Sequence, residues 1–526
     1  MKLTRMLSVT ACIAVISMFA ASLAVAEVVT VDAGKDLGPA TYRASGFLHA
    51  MSKTVPATDM IAPLKPQLFR MAAEDWHKIG AGSFANYERV KQLGARMQVV
   101  ISDNHGYGLA GWWPGDNGDW TAWDFIVESL VKRVQADKQK VEWDIWNEPN
   151  GRYFWGRDLA QFNETWKRGY QKIRSLDPKA TIVGPSIAGY DRKYLEAFLE
   201  YAKANDVVPD LLAWHEFGNP RKIPTHFAEM REFVQKNGLK VRGYSINEII
   251  TGTQQPKPGV TLVYLANLDR EGADGACHAC WGDQDPKVSG CENQTLDGLL
   301  TYPDRKPRAS WWAYKAYADV TGRLVELKPS ETIDGIAGVD AKSKAVNIAL
   351  GREGGEVGDV ELVIASAGKL KFLGKSGAVH VVAKRLVTSG WEESAGPVLV
   401  FEADYKIESD QIKLVLPQFG PTDAFVVTLT PVKSERETGE AGAPAARQAF
   451  DKGIELATKS RLTEAIVEFK RAIDLDPKYA EAHFRLGRCY VRSSDAVAAT
   501  ACFRKCLSID PAHDGAKAEL AKLKAD

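Results

Sequence analysis

Two kinds of hydrophobic pattern, one typical of strands and one of helices, alternate along residues 45–321. Short apolar runs of strand length are separated by longer stretches, such as 122–136 and 159–176, whose apolar residues recur at helical spacing. The strand-length runs are Ser45–His49, Gln67–Met71, Met97–Ser102, Val141–Trp146, Thr181–Pro185, Leu211–His215, Lys240–Asn247 and Gly275–Trp281. Eight β-then-α units in about 280 residues predict a (β/α)₈ barrel domain over residues 27–323. A doubly wound open sheet is the alternative. Such a sheet would hardly accommodate eight strands with candidate catalytic residues at the ends of so many of them.

The pattern changes over residues 324–432. Apolar runs there are short, rich in Val, Ile and Leu, and separated by Gly, Asp and Ser, which is typical of an antiparallel β-sandwich. These runs are Ala345–Leu350, Val360–Ile364, Ala378–Val382, Pro397–Phe401, Gln411–Leu416 and Ala424–Leu429. The early strand Val28–Val31 precedes the barrel, and we expect it to pair into this sandwich.

The C-terminal part of the chain contains an internal repeat. Residues 433–444 are charged and small without apolar periodicity, which indicates a linker. Within residues 445–526 the positions Gly453, Ala465, Phe469 and Pro477 recur as Gly487, Ala499, Phe503 and Pro511. This spacing resembles two tetratricopeptide repeats, with Asp514–Lys524 as a closing helix. The resemblance implies a small all-α domain that binds a protein partner.

The N-terminus has the features of a signal peptide. Lys2 and Arg5 precede an apolar stretch, and Ala24-Val25-Ala26 forms a cleavage site. The apolar core is too short to favour a membrane anchor, and no later run reaches the length of a membrane-spanning helix. The sequence therefore predicts that residues 1–26 are removed and that the protein is exported to the periplasm or the extracellular space.

Charge and cysteine content bear on which binding partners, disulfides and metals the sequence supports. Lys+Arg and Asp+Glu both number 67 among 526 residues, so charge gives no reason to expect nucleic acid or an anionic membrane as partner. Cys277, Cys280 and Cys291 cluster, and export makes a disulfide among them possible. Cys277 and Cys280 form one CxxC, which could instead indicate a metal. The absence of a second pair at zinc-like spacing makes that evidence weak.

Two of the predicted strands end in Asn-Glu. Pro149 cannot donate to a strand ladder and halts the strand before it, so Glu148 lies at a strand's C-terminal end, where barrels place active sites. Glu248 ends the run Gly243–Glu248 in the same way, and by our count these strands are the fourth and the seventh. Two carboxylates at one barrel mouth suit glycoside cleavage, with one as acid/base and one as nucleophile. This chemistry needs no metal or cofactor. The alternative is that each is an ordinary loop carboxylate.

The segment Trp146-Asn147-Glu148-Pro149-Asn150 resembles the acid/base motif of clan A glycoside hydrolases. Its continuation resembles glycoside hydrolase family 39 through Tyr153-Phe154-Trp155-Gly156, Tyr170, Ile173, Asp177-Pro178 and Val183-Gly184-Pro185. The resemblance covers the barrel. It implies a retaining double displacement with the acid/base on strand four and the nucleophile on strand seven, the places that Glu148 and Glu248 occupy.

The resemblance also implies roles for neighbouring residues. Asn147 is expected to hydrogen-bond the sugar 2-hydroxyl, and Arg70 is expected to hold Glu248 ionised, with a plain barrel salt bridge as the alternative. His215 matches a strand-six histidine of such enzymes, although a buried structural histidine is nearly as well supported. Phe217 stands where several clan A families have a tyrosine that touches the nucleophile, and Tyr244 is predicted to orient Glu248 instead.

Two further residues are predicted to bind substrate. Trp281 ends the eighth strand and could stack on a sugar ring. His105 is predicted to lie in a subsite loop, next to the Gly- and Trp-rich segment 107–120, which would form a wall of the cleft.

The sequence therefore predicts a secreted retaining β-glycoside hydrolase that acts on a β-linked polysaccharide or oligosaccharide. The favoured variant is endo-acting on an exopolysaccharide and tethered by the repeats. An exo-acting β-xylosidase-like enzyme is the second variant. The alternative from another class is a catalytically inactive carbohydrate-binding or scaffold protein of a polysaccharide export assembly, which the presence of both glutamates disfavours.

Overall fold

The computed structural model describes residues 27–74, 82–106, 111–281, 293–373, 377–432, 442–459 and 461–523. The predicted signal peptide, Cys291 and most of the predicted linker lie outside these ranges. Within them, no helix combines the length and the apolar character that a membrane crossing needs.

Eight parallel strands close into a barrel in the order in which they occur in the chain. They are β2 (Gly46–Leu48), β3 (Leu68–Ala72), β4 (Arg96–Val100), β5 (Glu142–Asp144), β6 (Thr181–Ile187), β7 (Leu211–Glu216), β8 (Gly243–Ile249) and β9 (Gly275–His278). Phe47 of β2 pairs with His278 of β9 and closes the ring. Each strand overlaps one of the predicted runs, so the predicted (β/α)₈ barrel is confirmed.

Helices cover the outside of the barrel. They are α1 (Thr58–Ile61), α2 (Ser83–Gln92), α3 (Thr121–Ala136), α4 (Leu159–Leu176), α5 (Arg192–Ala204), α6 (Ile223–Lys236), α7 (Pro258–Arg270) and α8 (Ala309–Asp319). Helix α4 shows why they form: Asp158 caps its first turn by accepting from the backbone N–H of Gln161, and Phe162, Trp166 and Ile173 form its buried face. Because helices cover the strands, β3 and β7 are buried along their whole length.

A second sheet of nine strands follows the barrel. Its strands are β1 (Glu27–Pro39), β10 (Arg323–Lys328), β11 (Ile333–Asp340), β12 (Ala345–Arg352), β13 (Gly358–Ala365), β14 (Ala378–Leu386), β15 (Val398–Lys406), β16 (Gln411–Phe419) and β17 (Ala424–Pro431), in the order β15-β14-β17-β12-β11-β10-β1-β13-β16. Val381, Val427, Leu362 and Leu414, from opposite ends of that order, belong to one buried cluster. The sheet therefore folds over on itself and encloses a sandwich-like core.

The sheet differs from the prediction in one respect. Its neighbouring strands pair antiparallel except for β1, which pairs parallel with β13. The predicted strand Val28–Val31 lies within β1 and joins the sheet as expected. At the border with the barrel, a Cβ on Gly259 of α7 would lie 2.1 Å from the carbonyl oxygen of Asp423. Only glycine therefore permits this close approach of helix to sheet.

Five helices form the C-terminal region: α9 (Gly442–Thr458), α10 (Leu462–Leu475), α11 (Ala480–Arg492), α12 (Ala496–Ile509) and α13 (Asp514–Lys522). Gly453 faces the ring of Phe469, and Gly487 faces the ring of Phe503, so the small residues of each repeat make room for the aromatic of its paired helix. Helix α9 begins at Gly442, inside the segment predicted as a linker.

The cysteines of the barrel are not equivalent. Cys280 is disulfide-bonded, whereas Cys277 is a free, buried thiol. Among the described residues, the one group of three or more ligand-type side chains close enough to hold a metal contains neither cysteine.

Candidate active site

The two predicted catalytic glutamates meet at the barrel mouth. Glu148 follows β5, and Glu248 lies in β8, the fourth and seventh strands of the barrel. One carboxylate oxygen of each, together with a ring nitrogen of His215, lie within 4.8 Å of one another. Carboxyl groups about 5–5.5 Å apart suit the retaining mechanism, whereas inverting enzymes need about 6.5–9.5 Å to admit a water. The separation therefore favours retention.

The backbone at Glu148 is in an uncommon conformation. Its φ is +50°, in the left-handed region that residues with a side chain seldom adopt. The N–H of Glu148 donates to the carbonyl oxygen of Ser186 at 2.9 Å, and its own carbonyl accepts from the N–H of Gly151 at 2.9 Å. These bonds hold the turn that aims the carboxylate into the mouth, and local strain of this kind is found at functional sites.

Arg70 joins Glu248 to Asp144 and Asn147. Its Nη1 donates to Glu248 Oε1 at 2.8 Å, its Nε to Asp144 Oδ2 at 2.8 Å, and its Nη2 to Asn147 Oδ1 at 2.8 Å. Burial opposes the charged form of Arg70, but the carboxylates of Asp144 and Glu248 outweigh it and raise its pKa. A charged, fully bonded guanidinium thus fixes the position of Glu248.

A buried polar network lies beneath these groups, and the sequence reasoning missed it. Asn247 Nδ2 donates to Asp144 Oδ2 at 2.9 Å and to Gln98 Oε1 at 3.1 Å, and the hydroxyl of Ser186 donates to Asp144 Oδ1 at 2.8 Å. Asp144 is completely buried. Polar residues inside otherwise apolar strands were the available signal, because a buried carboxylate needs partners.

Burial shifts the pKa of both glutamates above that of an ordinary carboxyl. It raises the pKa of Glu148 to about 7, with Arg70 acting weakly in the opposite direction. Burial also raises the pKa of Glu248, and the charge of Glu148 acts in the same direction, whereas a protonated His215, the charge of Arg70 and the Arg70 hydrogen bond oppose them. Glu148 is therefore a carboxyl suited to hold a proton near neutral pH, and the charged guanidinium bonded to Glu248 favours ionisation there. The main cause of the raised pKa of Glu148 is burial.

His215 contacts both glutamates from below. Its Nδ1 lies 3.0 Å from Glu148 Oε1, and its Nε2 lies 3.8 Å from Glu248 Oε1. Burial lowers its pKa to about 4, so the ring is neutral at working pH. A neutral imidazole can accept a hydrogen bond from protonated Glu148 or donate one to its ionised form, the two states that an acid/base passes through.

Two other predicted substrate residues lie at the site. Asn147, whose N–H donates to the hydroxyl of Ser102 at 3.0 Å, stands beside Glu148 in the Arg70 network. The Trp281 indole donates to the Ile250 carbonyl at 2.9 Å. Its ring meets Phe217 edge-on at 5.2 Å, and Phe217 meets His215 at 5.4 Å. Trp281 is therefore linked to the glutamates through Phe217 and His215.

Tyr244 does not reach the site, contrary to the prediction. Its ring packs against Trp214 of β7 and Phe227 of α6, at centroid distances of 5.9 and 5.5 Å. The pairing of β8 with β9 is irregular between Ile246 and Ile249. This irregularity lets Glu248 face inward although Tyr244, an even number of residues earlier, faces outward. Tyr244 therefore cannot orient Glu248.

His105 lies among tryptophans and not on an open subsite. Its ring is 4.5 Å from Trp112, 5.6 Å from Trp146 and 6.3 Å from Trp113, centroid to centroid. Burial lowers its pKa to about 4. The aromatic cluster surrounds the side chain, so its position is that of a packing residue beneath the loop. Residues 107–110 of the predicted cleft wall lie outside the described residues.

Family models match two parts of the chain. Residues 115–256 match "Glycosyl hydrolases family 39". Residues 453–493 match "TPR repeat", and residues 480–513 match "Tetratricopeptide repeat", a class that suggests protein interaction. The predicted resemblance to family 39, with tetratricopeptide repeats behind it, is confirmed.

Known proteins agree with this assignment. A 3-O-alpha-D-galactosyl-alpha-L-arabinofuranosidase from Bifidobacterium longum subsp. longum is 23% identical over 274 residues, which is 45% of this chain and 23% of that protein. The chain thus spans less than a quarter of that relative's length. The predicted enzyme class, a glycoside hydrolase, is confirmed by the family match together with this relative.

Solved structures share the architecture. A protein from Neocallimastix frontalis superposes with a TM-score of 0.67 and 26% identity, over 77% of this chain and 100% of that one. The GH39 enzyme from Xanthomonas axonopodis pv. citri superposes with a TM-score of 0.55 and 13% identity, over 77% of this chain and 98% of that one. At this identity the similarity is evidence for a shared fold and for nothing further.

Proposed function

We propose that the chain is a secreted retaining β-glycoside hydrolase that acts on a polysaccharide or oligosaccharide, with Glu248 as nucleophile and Glu148 as acid/base. The observation that carries the proposal is the approach of the two carboxylates to within 4.8 Å around His215 at the barrel mouth. The family 39 match of residues 115–256 supports the same chemistry.

The first step forms a covalent intermediate. A carboxylate oxygen of Glu248 attacks the anomeric carbon while the bond from that carbon to the leaving-group oxygen breaks, and Glu148 delivers its proton to that oxygen. Arg70 holds the attacking carboxylate at 2.8 Å and stabilises its charge beforehand. The raised pKa of Glu148, about 7, keeps the proton available.

The second step releases the sugar. Water attacks the anomeric carbon from the side that the leaving group vacated, Glu148 takes the proton of that water, and the bond to Glu248 breaks. Two inversions give net retention. Once Glu248 is esterified its charge is gone, which makes the ionised form of Glu148 easier to reach.

The substrate is proposed to be a β-linked exopolysaccharide that is cut internally. The predicted signal peptide supports export, and the repeats support attachment to a protein of a synthesis or export assembly. The relative from Bifidobacterium longum is named for α-L-arabinofuranosides, so this linkage belongs in any test of specificity.

The product profile of the purified protein tests the proposal. We expect cleavage of at least one member of a panel containing xylan, mixed-linkage β-glucan, cellulose derivatives and bacterial exopolysaccharides. Aryl β-xylosides, β-glucosides and α-L-arabinofuranosides complete the panel. Internal cutting gives a ladder of oligosaccharides from the start, whereas terminal cutting gives only small sugars. Anomeric proton spectra of the first product should show retention. Binding of a glycan without any turnover would favour the inactive scaffold instead.

Residues 27–432 should be enough for catalysis. All the site residues precede the linker, so a protein that ends at residue 432 should hydrolyse substrate at the rate of the full chain. The measurement is kcat/KM of both proteins on the same substrate, with thermal unfolding as the control for folding. A shortened protein that is folded but inactive would show that the repeats contribute to the active site.

A further inference from the structure

We infer that Tyr153 forms the binding surface for the sugar on the leaving-group side of the cleaved bond. The inference rests on the proposed function and deepens it, because it implies a substrate with at least one sugar beyond the reacting one. We name this surface the Tyr153 platform. Tyr153 is 72% exposed, an unusual position for a large aromatic side chain.

The Tyr153 platform lies on the loop that follows the acid/base. Gly151 lies between them: a Cβ placed on it would be 3.8 Å from Glu148 Cβ and 3.7 Å from Phe154 Cδ2. The ring of Phe154 in turn meets the ring of Tyr153 edge-on, with centroids 4.9 Å apart. Gly151 and Phe154 therefore connect the Tyr153 ring to the flank of Glu148.

This flank is the side on which the leaving group must lie. The general acid protonates the leaving-group oxygen, so that oxygen sits against the Glu148 carboxyl, and the rest of the leaving group continues past it. Trp281 is linked to the glutamates by a different route, through Phe217 and His215. A sugar departing over Glu148 would meet Phe154 and Tyr153 next.

The loop holds the exposed ring in place. Trp146 Nε1 donates to the carbonyl oxygen of Phe154 at 2.9 Å, and Trp146 packs edge-on against buried Trp155 at 4.9 Å. The side chain of Asn150 both donates to the carbonyl of Ala188 and accepts from its N–H, at 3.1 and 2.8 Å. A fixed aromatic face loses little conformational freedom when it binds, and the apolar face of a sugar ring packs well on such a surface.

A comparison of two substrate types tests the inference. Cellotetraose and xylotetraose, or the tetrasaccharide of whichever sugar the panel selects, place a sugar on the leaving-group side. The corresponding glycosyl fluoride places only a fluorine there. We expect Tyr153→Ala to lower kcat/KM on the tetrasaccharide by about tenfold, the size of one lost aromatic contact, and to leave the fluoride rate unchanged.

Two variants serve as controls. Tyr153→Phe keeps the flat ring and should retain most of the tetrasaccharide activity. Phe125→Ala removes an aromatic of matched exposure, 71%, from the outer helix α3, and should change neither rate. Because Tyr153 is mostly exposed, the Tyr153→Ala protein should keep its melting temperature.

The possible failures can be told apart. Equal effects of Tyr153→Ala on tetrasaccharide and fluoride, or no effect on either, overturn the inference while the proposed function stands. If the unmodified protein cleaves neither substrate, the proposed function fails. Calorimetric titration of both tetrasaccharides into the full chain, with and without Tyr153→Ala, then tests whether the Tyr153 platform binds sugar independently of hydrolysis. Unchanged affinity or no binding overturns it, and weaker binding of the variant supports it.

Discussion

Replacing Glu248 with glutamine should lower turnover by at least about 10,000-fold on every substrate, the scale seen when a catalytic nucleophile is removed. The amide oxygen of glutamine is too weak a nucleophile to form the covalent intermediate. The replacement leaves the shape of the site almost unchanged. The assay is kcat under saturating substrate, and a near-normal rate would remove the central assignment.

The Glu248→Gln protein should nevertheless fold normally. Arg70 keeps its bonds to Asp144 and Asn147, and the glutamine oxygen can still accept from its guanidinium. Burial disfavours the charged form of Glu248, as its raised pKa shows. A neutral amide in the same place avoids that desolvation penalty. Thermal unfolding should therefore show no loss of stability. Glu229→Gln, which removes a carboxylate that bonds the Tyr190 hydroxyl, is the matched control and should stay active.

Azide distinguishes the nucleophile from other essential carboxylates. In Glu248→Ala the space left by the side chain can admit azide, which attacks the anomeric carbon once and gives a product of inverted configuration. Glu248→Gln leaves no such space and should not be rescued. A retained glycosyl azide from Glu248→Ala would assign Glu248 another role.

The barrel could be predicted because its strands are buried on both faces. Such strands read as apolar runs of four to eight residues, and helices read as amphipathic stretches between them. The two glutamates were predictable for a related reason. Pro149 marks where the strand before Glu148 must stop, and the ends of barrel strands are where chemistry takes place.

Side-chain direction was harder to predict. A regular strand would put Tyr244 and Glu248 on the same face, yet the irregular pairing of β8 with β9 separates them. His105 followed a strand and suggested a subsite, but two of the tryptophans around it, Trp123 and Trp146, come from other elements of the barrel. Contacts of this kind depend on tertiary packing, which single-sequence patterns do not contain.

The buried network under the site shows the same limit. Asp144 is recognisable in the sequence as an acidic residue in an apolar strand, but its partners Arg70, Ser186 and Asn247 lie on three other strands. The prediction that Arg70 contacts Glu248 named one of three groups that the guanidinium holds. Arg70 is better described as the residue that fixes Glu248 relative to Asp144 and Asn147.

The pH dependence should identify Glu148 as the proton donor. Its pKa, raised to about 7 by burial, means that the carboxyl is protonated below that pH and ionised above it. The rate of the first step on a natural glycoside should therefore fall as the pH rises through about 7. Glu148→Ala should remove this dependence from the residual first step on the natural glycoside, and a substrate whose leaving group needs no proton should show little of it even with the native enzyme.

The loss of rate in Glu148→Ala should also depend on the leaving group of the substrate. A natural glycoside needs protonation and should lose about 100- to 10,000-fold, the usual contribution of general acid catalysis. An aryl glycoside with a good leaving group should form the intermediate at a rate closer to that of the native enzyme and then stall, because no base activates water. A burst of released phenol followed by a slow phase is the expected time course.

Azide should then restore turnover of the Glu148→Ala protein with that aryl glycoside. The anion needs no base, and it can attack the intermediate from the face that the missing carboxylate has vacated. Because Glu248 has already inverted the centre once, the glycosyl azide should have the configuration of the substrate. The product is identified from its anomeric coupling constant, and Glu229→Gln with azide serves as the control that should form none. If Glu148→Ala yields no glycosyl azide, or yields the inverted one, then Glu148 is not the acid/base of a retaining mechanism.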